Sequence, residues 1–95
     1  MKLRLLEIDV LAVPGKARSS PVDVRIRLDL DGKARWFTMT VRPRVLRGFD
    51  ASLVVASEEL QDVLRLEQNA LHRICKLVGR EVRGRTVRLP QQVAA

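Results

Sequence analysis

On either side of Asp31-Gly32 the chain from Val22 to Val41 alternates apolar with polar residues. Asp-Gly is a two-residue loop of the type I′ kind, in which both central residues take positive φ. Pairing Leu30 with Lys33 then sets Leu28 opposite Arg35, Ile26 opposite Phe37, Val24 opposite Met39 and Val22 opposite Val41. That face is almost wholly apolar. The other face carries Asp23, Arg25, Arg27 and Asp29 against Thr40, Thr38, Trp36 and Ala34, the solvent side of an antiparallel ribbon. A slip of one residue mixes the two sets, so the pattern fixes the register.

Leu6, Ile8, Val10 and Ala12 alternate with Glu7, Asp9 and Leu11, which predicts a first strand over 6–12. Leu3, Leu5 and Leu6 break that phase and point to a bulge or a frayed start near Leu5. Pro14 to Pro21 reads as a loop. If it returns the chain antiparallel, Val10 lies by Val24 and Ile8 by Ile26. Alignment of the apolar face alone then sets Asp9 beside Arg25 and Glu7 beside Arg27 on the outer face.

Pro43 and Gly48 predict the end of this meander over 42–50. Leu53-Val54-Val55-Ala56 fits either a short edge strand or a buried approach to a helix, since a short apolar run has no period of its own. Ser57 is a suitable N-cap, with Glu58, Glu59 and Asp62 placed to complement the helix dipole. Leu60, Val63, Leu64, Leu71, Ile74, Cys75 and Val78 recur at helical spacing, interrupted at Glu67 and Gln68, and predict one helix to Val78 with Gly79 as its C′ residue. Arg80 to Leu89 reads as a last strand with a bulge at Gly84. Pro90 ends it, and 91–95 reads as a loose tail.

The expected architecture is a single small α+β domain over 1–95. A mostly antiparallel sheet, made of a three-stranded meander and a C-terminal strand, carries one long helix on one face. The final strand is expected beside the first and parallel to it, as after a crossover helix.

Composition adds a charge. Lys and Arg number 18 against 11 acids in 95 residues, a net +7, which favours nucleic acid, acidic proteins or anionic surfaces as partners. Fourteen of the basic residues are Arg, a skew that genomic base composition produces as readily as phosphate binding does. The basic residues cluster in 33–47 (Lys33, Arg35, Arg42, Arg44, Arg47) and in 73–88 (Arg73, Lys76, Arg80, Arg83, Arg85, Arg88), with an acidic stretch between. No apolar run approaches the ~20 residues of a membrane span. Glu7 and Asp9 interrupt the opening segment before an export signal forms. The lone Cys75 makes no internal disulfide, and a cytoplasmic protein is expected.

The residues offer little chemistry. His72 is the only histidine, and no spacing resembles a metal-binding motif. Cys75 falls on the apolar stripe and reads as an inert buried thiol. The five glycines form no phosphate loop, and the carboxylates are accounted for by the sheet ladder and the helix start. No catalytic residue, metal or cofactor is expected, nor a small-molecule substrate.

Trp36 falls on the outer face opposite Arg27. It reads as the lid of a cation–π pair, as an interface anchor, or as a stacking platform beside Arg25, Arg27 and Arg35. The remaining candidate surface is Arg42, Arg44 and Arg47 with Arg80, Arg83, Arg85 and Arg88, which either protect a strand edge or contact phosphate. The sequence therefore favours a non-enzymatic interaction module that binds a protein partner or self-associates through the sheet. A nucleic-acid-binding protein using its Arg-rich surfaces is the alternative.

Overall fold

The computed structural model describes residues 1–11, 21–46 and 49–94; for 43–46 and 49–52 it describes the backbone path alone. Five strands and two helices follow in the order β1 (Leu3–Leu11), β2 (Val22–Leu30), β3 (Lys33–Leu46), β4 (Phe49–Ala56), α1 (Glu58–Val63), α2 (Gln68–Val82) and β5 (Gln91–Ala94). The strands form one sheet in the order β4-β3-β2-β1-β5, antiparallel throughout.

The β2–β3 hairpin has the register its alternation predicts, from Leu30↔Lys33 to Val22↔Val41. Asp31 and Gly32 both take positive φ, 51° and 93°, as a type I′ turn requires. Asp29 Oδ1 accepts from the Gly32 amide at 2.6 Å, and Asp31 Oδ1 accepts from the Lys2 amide at 2.7 Å. The β1–β2 pairing also follows, with Val10↔Val24, Ile8↔Ile26, Asp9↔Arg25 and Glu7↔Arg27. The register shifts between Leu5 and Glu7, so the broken phase is a bulge. The bulge lets Leu3 and Leu5 join the core face, both fully buried, and extends β1 back to Leu3. Ala12 and the expected loop from Pro14 lie outside the described residues.

The meander has four strands rather than three. Pro43 does not end it: β3 continues to Leu46, paired with β4 through Met39↔Ala56 and Leu46↔Phe49. Pairing with β2 ends at Val41, so Pro43 sits where β3 has a described partner on one side only, a place where its missing N–H is tolerated. Leu53 to Ala56 belong to β4.

The long helix is two helices. An unbroken one would carry Glu67 round to the core face. The chain instead leaves α1 at Leu64 and re-enters helix after Glu67, and the Gln68 side-chain Nε2 donates to the Arg65 carbonyl at 3.1 Å across the break. α1 starts as expected, with Ser57 Oγ accepting from the Leu60 amide at 3.3 Å. α2 runs past Gly79, which is buried within it, and ends at Gly84 with φ 82°. The Arg85 amide donates to the Arg80 carbonyl at 3.0 Å and the Gly84 amide to the Glu81 carbonyl at 3.1 Å. These two bonds make a Schellman motif with Gly84, not Gly79, at C′.

The C-terminal strand is likewise displaced. Residues 83–90 form no strand, and the expected loose tail holds β5, which pairs with β1 through Leu3↔Ala94 and Leu5↔Gln91 and buries Val93. It lies beside β1 as expected, but antiparallel. β4 is the reason: a fourth full strand reverses the chain once more before the helices, so β5 arrives in the opposite sense.

The core lies between the sheet's inner face and the helices. Val24, Ile26, Leu28, Phe37, Met39 and Val41 from the hairpin meet Leu60, Leu64, Ala70, Ile74, Leu77 and Val78. No helix among the described residues is long and apolar enough to cross a membrane.

Candidate interaction surfaces

Because α1 and α2 cover the inner face, the candidate residues lie on surfaces that face solvent, chiefly the outer face of the sheet, its β4 edge and the outward side of α2.

The outer face is largely self-neutralised. The Arg25 guanidinium donates to Asp9 at 2.9 Å, Arg27 donates to Glu7 at 2.5 Å, and Arg4 pairs with Asp29 at 3.3 Å. All three are exposed pairs, each contributing ~0.2 to 1 kcal/mol at most. Trp36 lies over the same arginines, its ring centroid 4.7 Å from the Arg25 guanidinium carbon and 5.8 Å from that of Arg27. Arg27 Nε is buried without a hydrogen-bond partner, so the ring helps desolvate a group it attracts. Trp36 nevertheless stays 43% exposed. Arg35 points the other way, as its alternation requires: it pairs with Glu59 of α1 and lies 5.0 Å from the Phe37 centroid.

The β4 edge is a different surface. Leu53 and Val55 pair with Arg42 and Thr40 on the outer face, and are 44% and 45% exposed. Beyond β4 no described strand continues the sheet. Asp50 is the only charged residue in the strand.

The basic residues separate. Arg42 is exposed on the outer face, cross-strand from Leu53. Arg80 and Arg83 lie at the end of α2, on the opposite side of the sheet, followed by exposed Arg85 and Arg88. Arg42 therefore lies on the face of the sheet opposite to the one that carries Arg80 and Arg83. The Arg44 side chain and Arg47 lie outside the described residues. The expectation of an edge strand over 80–89 is corrected too, since the basic stretch caps a helix. Sequence reasoning left Arg73 and Lys76 out of the candidate surface. Their spacing to Arg80 and Arg83 was the available signal, once α2 is known to continue through Gly79.

Cys75 is half-buried, and burial pushes its thiol above the ordinary range. His72 is exposed on α2. Among the described residues, no three His, Cys, Asp or Glu side chains converge as a metal site would require. Lys2, Arg4, Asp29 and Gly32 line a surface depression of about 350 Å³ at the hairpin end. No known family model and no curated protein matches the chain.

Proposed function

We propose that the protein is a non-enzymatic interaction module that self-associates through its sheet, by pairing β4 with β4 of a second copy. The observation that carries this reading is an eight-residue edge strand without Lys, Arg or Pro, in a chain of net charge +7. Exposed edges are usually blunted by such residues, because their unpaired N–H and C=O groups template further pairing. A two-fold axis at Val54 sets Leu53 beside Val55 of the second copy, and Val55 beside its Leu53. The two exposed apolar residues then cover each other, as an isologous interface requires. A second copy also suits the strand's own charge, because β4 carries a single acid and no Lys or Arg, so pairing two copies there brings no strand cations together.

The outer-face tryptophan supports this role less well. Its ring is engaged by Arg25 and Arg27, whose charges Asp9 and Glu7 already balance. Sedimentation velocity over a hundredfold range of concentration tests the proposal. The wild type is expected to shift from monomer to dimer, and Leu53→Lys/Val55→Lys to stay monomeric with an unchanged circular dichroism spectrum. A wild type that is monomeric at every concentration rejects it.

A further inference from the structure

The outward side of α2 is a second surface, independent of the β4 edge. At 100° per residue, Asn69, His72, Arg73, Lys76, Arg80 and Arg83 share one side of the helix, and all six are exposed. The basic residues step by three, four and three positions, which keeps them in a single stripe. Arg73 to Arg83 spans about 15 Å at 1.5 Å per residue. Arg85 and Arg88, also exposed, continue the charge past the helix end.

This stripe contains no acid. Glu81 is the only carboxylate within α2, and it is half-buried on the side turned toward the core. The described ion pairs use Arg4, Arg25, Arg27, Arg35 and the terminal amine; none uses Arg73, Lys76, Arg80, Arg83, Arg85 or Arg88. Arg73 makes only a neutral bond, donating to Gln91 Oε1 at 3.3 Å. Unlike the outer-face arginines, these cations have no acidic partner among the described residues.

We infer that the α2 stripe binds the phosphate backbone of duplex DNA. Four observations choose this partner. Protein interfaces carry an apolar or aromatic centre, and this side of α2 presents none. Membrane-surface helices insert their apolar face, whereas the apolar face of α2 is occupied by the sheet. Single-stranded nucleic acid is held by successive aromatic side chains on which bases stack, and His72 is the single aromatic residue of the stripe. A duplex instead presents one charge per ~1.7 Å of axis, so a 15 Å stripe faces about nine phosphate charges. A helix is about 10–12 Å across with its side chains, which also matches the ~12 Å major groove of B-DNA for the exposed side of α2. The deep, narrow major groove of RNA does not admit it. Arg suits this task, because its planar guanidinium grips phosphate in a bidentate way. With Arg73, Lys76, Arg80 and Arg83 engaged by phosphates, only Asn69 and His72 remain to address base edges, and binding is expected to be nearly independent of sequence.

Fluorescence anisotropy with a labelled mixed-sequence duplex of about 20 base pairs provides the test. For four to six phosphate contacts, log K is expected to fall with log salt at a slope of about −4 to −5. Lys76→Gln/Arg80→Gln/Arg83→Gln should weaken binding at least tenfold and reduce the slope by about 3, since each contact contributes ~1. Arg25→Gln/Arg27→Gln on the outer face should bind within twofold of the wild type. Should the triple variant not fold, Lys76→Gln alone must still reduce the slope by about 1. The inference is overturned if the duplex is not bound at about 50 mM salt, or if the outer-face variant loses as much as the helix variant. It is equally overturned if polyglutamate of equal charge displaces the labelled duplex as effectively as unlabelled duplex does, which assigns the stripe to acidic proteins, or if duplex RNA or single-stranded DNA binds as tightly.

Discussion

The Arg25 guanidinium sits 4.7 Å from the centroid of the Trp36 ring while donating to Asp9 at 2.9 Å. The arginine is therefore held by two neighbours from two different strands, one on each side of β2. The tryptophan is part of how the outer face balances its own charge, and removing it exposes two guanidinium groups rather than emptying a core.

Trp36→Ala is expected to lower stability by about 1 kcal/mol, the size of an exposed cation–π contact with some loss of ring cover. Trp36→Phe should recover part of that loss. Urea-unfolding midpoints measure both. A loss of more than about 3 kcal/mol, the size of a truncated core aromatic, would make the ring a core residue and contradict its exposure.

Gly79 within α2 and Gly84 just past its end should respond in opposite directions. A Cβ on Gly79 meets Val54 Cγ2 at 3.7 Å, ordinary contact, so Gly79→Ala should stabilise by about 0.5–1 kcal/mol through helix propensity. Gly84 has φ 82° and open space around it. Gly84→Ala should destabilise by about 1 kcal/mol from backbone strain at the Schellman cap, with no clash to relieve it. Thermal unfolding of both variants checks the signs, and equal signs would place the end of the helix elsewhere.

Cys75 should be a slow nucleophile. Burial raises its pKa, so the thiolate is scarcer in the native state than in the unfolded chain. Reaction with an aromatic disulfide reagent should be slower natively than in urea and should keep rising above the ordinary thiol range. The same shift fixes the sign of a stability effect. The neutral thiol is the form favoured by folding, so its contribution is complete below the unfolded pKa and is lost as pH rises through the folded one. The stability difference between wild type and Cys75→Ala, measured from neutral pH to about pH 10, should therefore shift against the wild type at the alkaline end. A difference independent of pH would mean that the thiol is not desolvated.

Much of the sheet is readable without coordinates. Asp31-Gly32 fixes the hairpin because its turn type and the two-residue period agree, and the charge partners Glu7–Arg27 and Asp9–Arg25 follow from aligning apolar residues alone. Trp36 and the outer-face arginines were accordingly placed correctly. Of the basic candidates, Arg80 and Arg83 were named but assigned to a strand. A helix end at Gly79 separates Arg73 and Lys76 from Arg80 and Arg83, whereas α2 and its C-cap carry all four.

Those errors share a cause. Gly79 and Gly84 both satisfy the local chemistry of a helix end, and the structure continues α2 through Gly79, buried beside Val54, to the Schellman bonds at Gly84. Leu53 to Ala56 has no period of its own, and becomes a strand because β3 offers an edge beyond Val41. Gln91 to Ala94 contains one buried side chain, Val93, which has a place only after β1 exists. The sequence by itself determined the elements whose turn and periodicity are local. The tertiary structure decided the elements that form by covering an edge or a face that other parts of the chain had already built, because their stabilising contacts are with residues distant in sequence.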